Sequence, residues 1–117
     1  MTAEDRALLA FAALSQEHRL RIVRLLVKAA PDGLPAGALG KMLGTGSSKM
    51  SFHLSHLEQA GLVYSRRDGR QIIYAVQIAA VSDLIAFLMQ DCCGGRPEFC
   101  APAFAAATFM PSANADA

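Results

Sequence analysis

Residues 44–76, GTGSSKMSFHLSHLEQAGLVYSRRDGRQIIYAV, change their apolar period midway, and that change decides the fold. In the first half Met50, Leu54 and Leu57 recur at helical spacing, Ser47 can cap a helix after the tight Gly44-Thr45-Gly46 link, and Gly61 supplies a C-terminal stop. In the second half Leu62-Val63-Tyr64-Ser65-Arg66-Arg67 and Gln71-Ile72-Ile73-Tyr74-Ala75-Val76 are rich in β-branched and aromatic residues and flank Asp68-Gly69, a hairpin signal. On a helical wheel Leu54 and Leu57 fall within about 40° of Met50, while Ser48, Lys49, Phe52, Ser55, His56 and Gln59 take the far side. That far side is polar and almost free of acid, and its Ser, Lys, His and Gln side chains can all donate to phosphates or base edges.

Upstream, Pro35 opens a short helix through Ala38, Leu39 and Met42-Leu43 to Gly44, which makes a helix-turn-helix with the one that follows. Before it, Ser15 is the expected N-cap of a helix whose buried stripe is Leu20, Ile22, Val23, Leu26 and Val27, ended by Pro31-Asp32-Gly33. Residues 3–14 place Ala7, Leu8, Ala10, Phe11 and Leu14 at spacings of three and four, a first amphipathic helix. Downstream, Val81, Leu84, Ile85, Leu88 and Met89 return to helical spacing from Ile78 to about Asp91, with Asp83 near the start where the helix dipole favours it. The alanine-biased residues 101–117 lack periodicity and read as a loosely held tail. The expected fold is mainly α with a small β-hairpin, a winged helix-turn-helix in the order α-α-α-α-β-β-α. It divides into a helix-turn-helix and hairpin domain suited to DNA (1–91), a cysteine loop (92–100) and the tail (101–117).

At 117 residues one domain is the default, and 53% hydrophobic with 18% charged residues is a globular composition. Arg21, Arg24 and Lys28 interrupt the longest apolar stretch, so no membrane span is expected. The start, MTAEDRALLAFAAL, lacks a basic secretory n-region, which points to a cytoplasmic protein with reduced thiols. The net charge of +1 conceals a partition: residues 1–77 hold ten Lys/Arg against six Asp/Glu, residues 78–117 one against four. Arg66, Arg67 and Arg70 crowd the hairpin tip of the positive part, suited to phosphate contact.

Cys92, Cys93 and Cys100 are all the cysteines of the chain, within nine residues, and Gly94-Gly95 would let Cys100 return towards the pair. Trivalent arsenic and antimony take three sulfurs in a trigonal pyramid, whereas zinc usually wants four N/S ligands. Three thiols without a nearby histidine therefore suit As(III) or Sb(III) better than zinc, and Cd or Pb would need an added carboxylate such as Asp91 or Glu98. Two other readings compete: cysteines buried as small apolar groups, and a Cys100 disulfide that senses oxidants. Neither a C-x-x-C pair nor a phosphate-cradling loop is present, so a thiol-dependent reductase is not expected.

Residues 50–63 (MSFHLSHLEQAGLV), 66–74 (RRDGRQIIY) and 13–22 (ALSQEHRLRI) together resemble the ArsR/SmtB family of winged-helix metalloregulatory repressors. The resemblance covers roughly residues 5–91 and implies a homodimer, joined through its first and fifth helices, on a near-palindromic double-stranded operator. Ser47, Ser48, Lys49, Ser51, His53 and His56 match the family's recognition-helix positions, and Arg67 and Arg70 its wing. The wheel sets Ser51 and His53 at the edges of the core face, a place for orienting or phosphate contact rather than base reading. Residues 36–40 hold none of the cysteines that some members place there, and the fifth helix offers Asp83 but no histidine for a zinc site. The late Cys92, Cys93 and Cys100 are instead similar to an arsenite-responsive subgroup. That likeness implies As(III) as inducer, with Sb(III) or methylated As(III) as related ligands.

Overall fold

Reciprocal capping starts the chain. In the computed structural model, which describes residues 1–93, the Thr2 hydroxyl accepts from the Asp5 amide and the Asp5 carboxylate from the Thr2 amide, both at 3.0 Å, at the head of α1 (Ala3–Leu14). These bonds hold the Asp5 carboxyl below its ordinary range. The inward face of α1 is built from Ala7, Ala10 and Ala13, while Leu8, Leu9 and Phe11 lie outside. For Leu8 and Phe11 this reverses the expected core stripe, because small alanines let the helix approach its neighbours closely.

The α2 helix (Glu17–Lys28) is capped by Gln16, whose side chain accepts from the Arg19 amide at 2.9 Å. Ser15, the expected cap, instead ends α1 and donates its hydroxyl back to the Ala12 carbonyl. The chain becomes extended only at Gln16, so the cap falls one residue later. Ile22, Val23 and Leu26 are buried as expected, whereas Leu20 and Val27 flank the stripe and remain about half exposed.

A two-residue strand, β1 (Leu34–Pro35), precedes α3 (Ala36–Leu43), α4 (Ser47–Gln59), β2 (Val63–Asp68), β3 (Gln71–Val76) and α5 (Ile78–Cys93). The sheet is antiparallel in the order β1-β3-β2, so the wing has three strands rather than two. Gly33 permits the third: its φ is +87°, and a Cβ there would stand 2.3 Å from the Tyr74 carbonyl oxygen. Register pairs Val63 with Val76 and Asp68 with Gln71, which leaves Gly69-Arg70 as the two-residue loop. The loop is thus one residue later than Asp68-Gly69. Gly69 takes the positive φ (+65°) that a tight hairpin needs at its first central position, and Arg70 sits at the tip.

Ile22, Leu26, Leu39, Met50, Leu54, Leu57 and Leu62 are the largest fully buried side chains, drawn from α2, α3, α4 and the segment entering β2. Removing one such leucine side chain to alanine costs about 2 to 5 kcal/mol in a close-packed core. The chain forms two compact units, Met1–Leu84 and a second that starts at Ile85, of which the C-terminal part of α5 is described. Cys92 and Cys93 are the last two residues of α5, while Cys100 and the 101–117 tail lie outside the described residues. Among the described residues no helix is long and apolar enough to cross a membrane.

Candidate nucleic-acid interface

A tight turn sets α4 against α3. Gly44 closes α3 in the left-handed region (φ +63°), and the Thr45 amide donates to the Gly40 carbonyl at 2.9 Å. A Cβ on Gly40 would meet the Thr45 carbonyl oxygen at 2.9 Å, so glycine is what allows the turn to fold back on its helix. The cap of α4 is Gly46, without a side-chain bond, and Ser47 is the first helical residue rather than the expected cap. A cleft of about 420 Å³ opens beside this turn, lined among others by Gly37, Gly40, Lys41, Thr45 and Ser47. Lys41 is an exposed cation on this cleft, a candidate contact that the apolar period of α3 does not single out.

Met50, Leu54 and Leu57 turn inward, and Ser47, Ser48, Lys49, Ser51, Ser55, His56 and Gln59 are exposed, as is Phe52. The α4 helix has no acid in its first turn. His53 parts company with the other recognition-helix candidates: it is only 8% exposed. Arg19 of α2, itself 9% exposed, donates through Nε to the Ala13 carbonyl at 2.7 Å and places Nη1 3.4 Å from His53 Nδ1. A guanidinium can only donate, so Nδ1 of His53 must accept and the ring proton resides on Nε2. Burial, and after it the positive charge of Arg19, hold the His53 pKa below the usual histidine value.

The rings extend this contact outward. His18 stacks on His53 with centroids 5.3 Å apart and planes 7° from parallel. Phe52 meets His53 edge-on at 5.5 Å and lies nearly parallel to His56 at 6.0 Å. Arg19, His18, His53, Phe52 and His56 thereby form a continuous row from the buried α2 start to the outer face of α4.

On the wing, Arg66, Arg67 and Arg70 are exposed, and none is in an ion pair among the described residues. Ser65 donates to Glu58 at 3.3 Å, which ties β2 to the last turn of α4 and fixes the wing relative to that helix. Tyr74 on β3 is half-buried, and burial together with the Glu58 charge raises its pKa.

Two helices packed across a tight turn, with an arginine-tipped hairpin held to the second, define a winged helix-turn-helix. A helix-turn-helix domain model matches residues 14–66. The HTH-type transcriptional regulator YgaV of Escherichia coli K12 is 35% identical over 79 residues, covering 68% of this chain and 80% of that protein. An HTH-type transcriptional regulator of Mycobacterium tuberculosis is 36% identical over 76 residues, 65% of each chain. Among solved structures, an ArsR-like regulator from Rhodococcus sp. RHA1 superposes with a TM-score of 0.68 at 26% identity over 92% of this chain and 93% of that one. A homodimeric winged helix-turn-helix domain of a possible ArsR-family regulator from Mycobacterium bovis gives 0.60 at 25% identity, covering 74% and 80%. A possible transcriptional regulator for arsenical resistance gives 0.59 at 28% identity, covering 68% and 79%. The chain belongs to the ArsR family of winged-helix transcriptional regulators, and α3 and α4 form its DNA-binding helix-turn-helix.

Proposed function

We propose that the protein is a dimeric repressor that binds a near-palindromic operator and leaves it when trivalent arsenic or antimony joins Cys92, Cys93 and Cys100. The observation that carries the DNA part is the pairing of an exposed α4 face, with Ser47, Ser48, Lys49, Ser51 and His56, with a wing whose Arg67 and Arg70 have no ion-pair partner among the described residues. A helix of this length fits the major groove, and the hairpin tip then reaches flanking phosphates. Buried His53 acts as a positioning residue for α4 in this reading. The Gly-lined cleft beside Ser47 would let a phosphate approach the turn closely.

Self-association is supported by the large apolar side chains that α1 turns to solvent, Leu8, Leu9 and Phe11, and by exposed Ile85 and Leu88 on α5. Two copies joined through α1 and α5 would read half-sites about one helical turn apart. The inducer assignment rests on the donor set: three soft thiols within nine residues, two of them closing α5. It is supported by the likeness to the possible regulator for arsenical resistance. Release requires the ion to favour the free dimer over the DNA-bound one, by about 1 to 3 kcal/mol in typical allosteric coupling.

A DNA mobility shift titrated with arsenite, cadmium, lead, zinc and an oxidant tests the assignment. Arsenite is expected to release the DNA, and Cys92→Ser or Cys93→Ser to keep DNA binding while abolishing release. Unchanged release in both variants would remove the arsenic site, and release by oxidant alone would favour a thiol-disulfide sensor.

A further inference from the structure

Phe52 is an anomaly on the α4 surface. It is 63% exposed at the centre of the outward arc, flanked one turn away by Ser48 and Lys49 on one side and by Ser55 and His56 on the other, all exposed. No apolar patch surrounds it on α4, so its ring does not extend a protein-binding surface there. Its ring is also held, as a stray surface phenylalanine would not be. His56 lies nearly parallel to it, His53 meets it edge-on, and His53 is anchored through Arg19 to the Ala13 carbonyl.

A rigid apolar group standing on a basic helix face, in the position that enters the major groove, has one complementary feature there. Among the four bases only thymine presents a methyl group in that groove, and apolar side chains, phenylalanine among them, read it. Lys49 and His56 supply donors on either side for neighbouring phosphates and base edges. We infer that Phe52 is a specificity-determining residue that packs against the C5-methyl of a thymine in each half-site. This rests on the reading of α4 as the recognition helix and adds to it a base type and an atom.

The test uses the full chain and a duplex obtained from it by selection from random sequence, followed by replacement of each thymine with uracil, which differs only by the methyl group. At one position per half-site the replacement is expected to weaken binding about fourfold, the value of one buried methyl-sized group. Phe52→Ala should abolish that difference between thymine and uracil while leaving the salt dependence of binding unchanged, and Phe52→Leu should retain part of it. Because the side chain is largely exposed, both variants should melt within a few degrees of the parent. If the chain selects a sequence but no thymine is sensitive, or the sensitivity survives in Phe52→Ala, the thymine contact is refuted and α4 remains the reader. If no sequence is selected and no duplex is shifted, the DNA-binding reading itself falls, and the inference with it.

Discussion

Helices α1 and α4 are nearly equal in length, 12 and 13 residues, and each buries one face, yet what they turn outward is opposite in kind. The α1 helix buries alanines and exposes Leu8, Leu9 and Phe11; α4 buries Met50, Leu54 and Leu57 and exposes serines, a lysine, a histidine and a glutamine around one phenylalanine. Hydrophobicity alone would have put the large side chains of α1 inside. Exposed apolar side chains gain when another apolar surface covers them, whereas the α4 face is rich in hydrogen-bond donors suited to water or to a polyanion. Arg19 links the two helices: it donates to Ala13 at the end of α1 and contacts His53 in the middle of α4.

The largest effect is expected from turning the α1 face polar. Leu8→Asp, at a position 60% exposed, should leave the protomer folded but convert a dimer to a monomer in sedimentation. Loss of the linked second half-site should then reduce operator affinity by about 100-fold or more. A variant that stays dimeric would show that α1 is not an interface and erase the contrast between the helices. Next in size is Arg19→Met, which removes the link itself. Bonds from a buried charged donor contribute about 1.5 to 3 kcal/mol, so a fall of about 2 kcal/mol in urea unfolding is expected. A stability equal to the parent would mean that packing of the arginine stem, not its bonds, joins α1 to α4.

Much of this contrast was legible in the residues, and the exceptions have physical causes. The apolar period placed α3, α4 and the wing because their cores follow local spacing: Met50, Leu54 and Leu57 needed no knowledge of what they touch. The same period misplaced Leu8 and Phe11, since which side of an alanine-rich helix faces inward depends on how closely its neighbours approach. Ser15 and Asp68-Gly69 were each one residue early, a result of competition between good capping or turn residues that only the course of the chain resolves. The β1 strand is two residues long and exists through its partner Tyr74, 40 positions away from Leu34, where no local signal reaches. The wheel put His53 at the core edge but could not supply Arg19, its partner 34 residues earlier. For the same reason Phe52 read as one more far-side residue until the rings that brace it were visible.

A smaller effect separates the wing from both helices. Arg70 stands at the hairpin tip and has no ion-pair partner among the described residues, so its contribution to binding should be a phosphate contact insensitive to sequence. Arg70→Ala is expected to weaken all duplexes alike, by a few fold at moderate salt, and to lower the slope of log affinity against log salt by about one. A loss confined to one sequence would instead make Arg70 a base reader and move specificity from α4 to the wing.

The subtlest test addresses the junction through pH. His53 accepts from Arg19 only while its Nδ1 is unprotonated, and burial, Arg19, His18, His56 and Lys49 all depress its pKa below 6.5. In the unfolded chain the same histidine titrates near 6.5. The folded state therefore binds fewer protons than the unfolded state between the depressed value and 6.5, and stability rises with pH across that window. Above 6.5 the contribution is fully present; as the pH falls through the window it is lost, because a protonated ring faces the guanidinium with no lone pair to offer. Urea midpoints measured at pH 7.5, 6.5 and 5.5 should fall with acidity. In His53→Gln, whose amide oxygen can still accept from Arg19 but does not titrate, they should fall less. An equal fall in both proteins would assign the acid sensitivity to other groups and leave the α1 to α4 link independent of protonation.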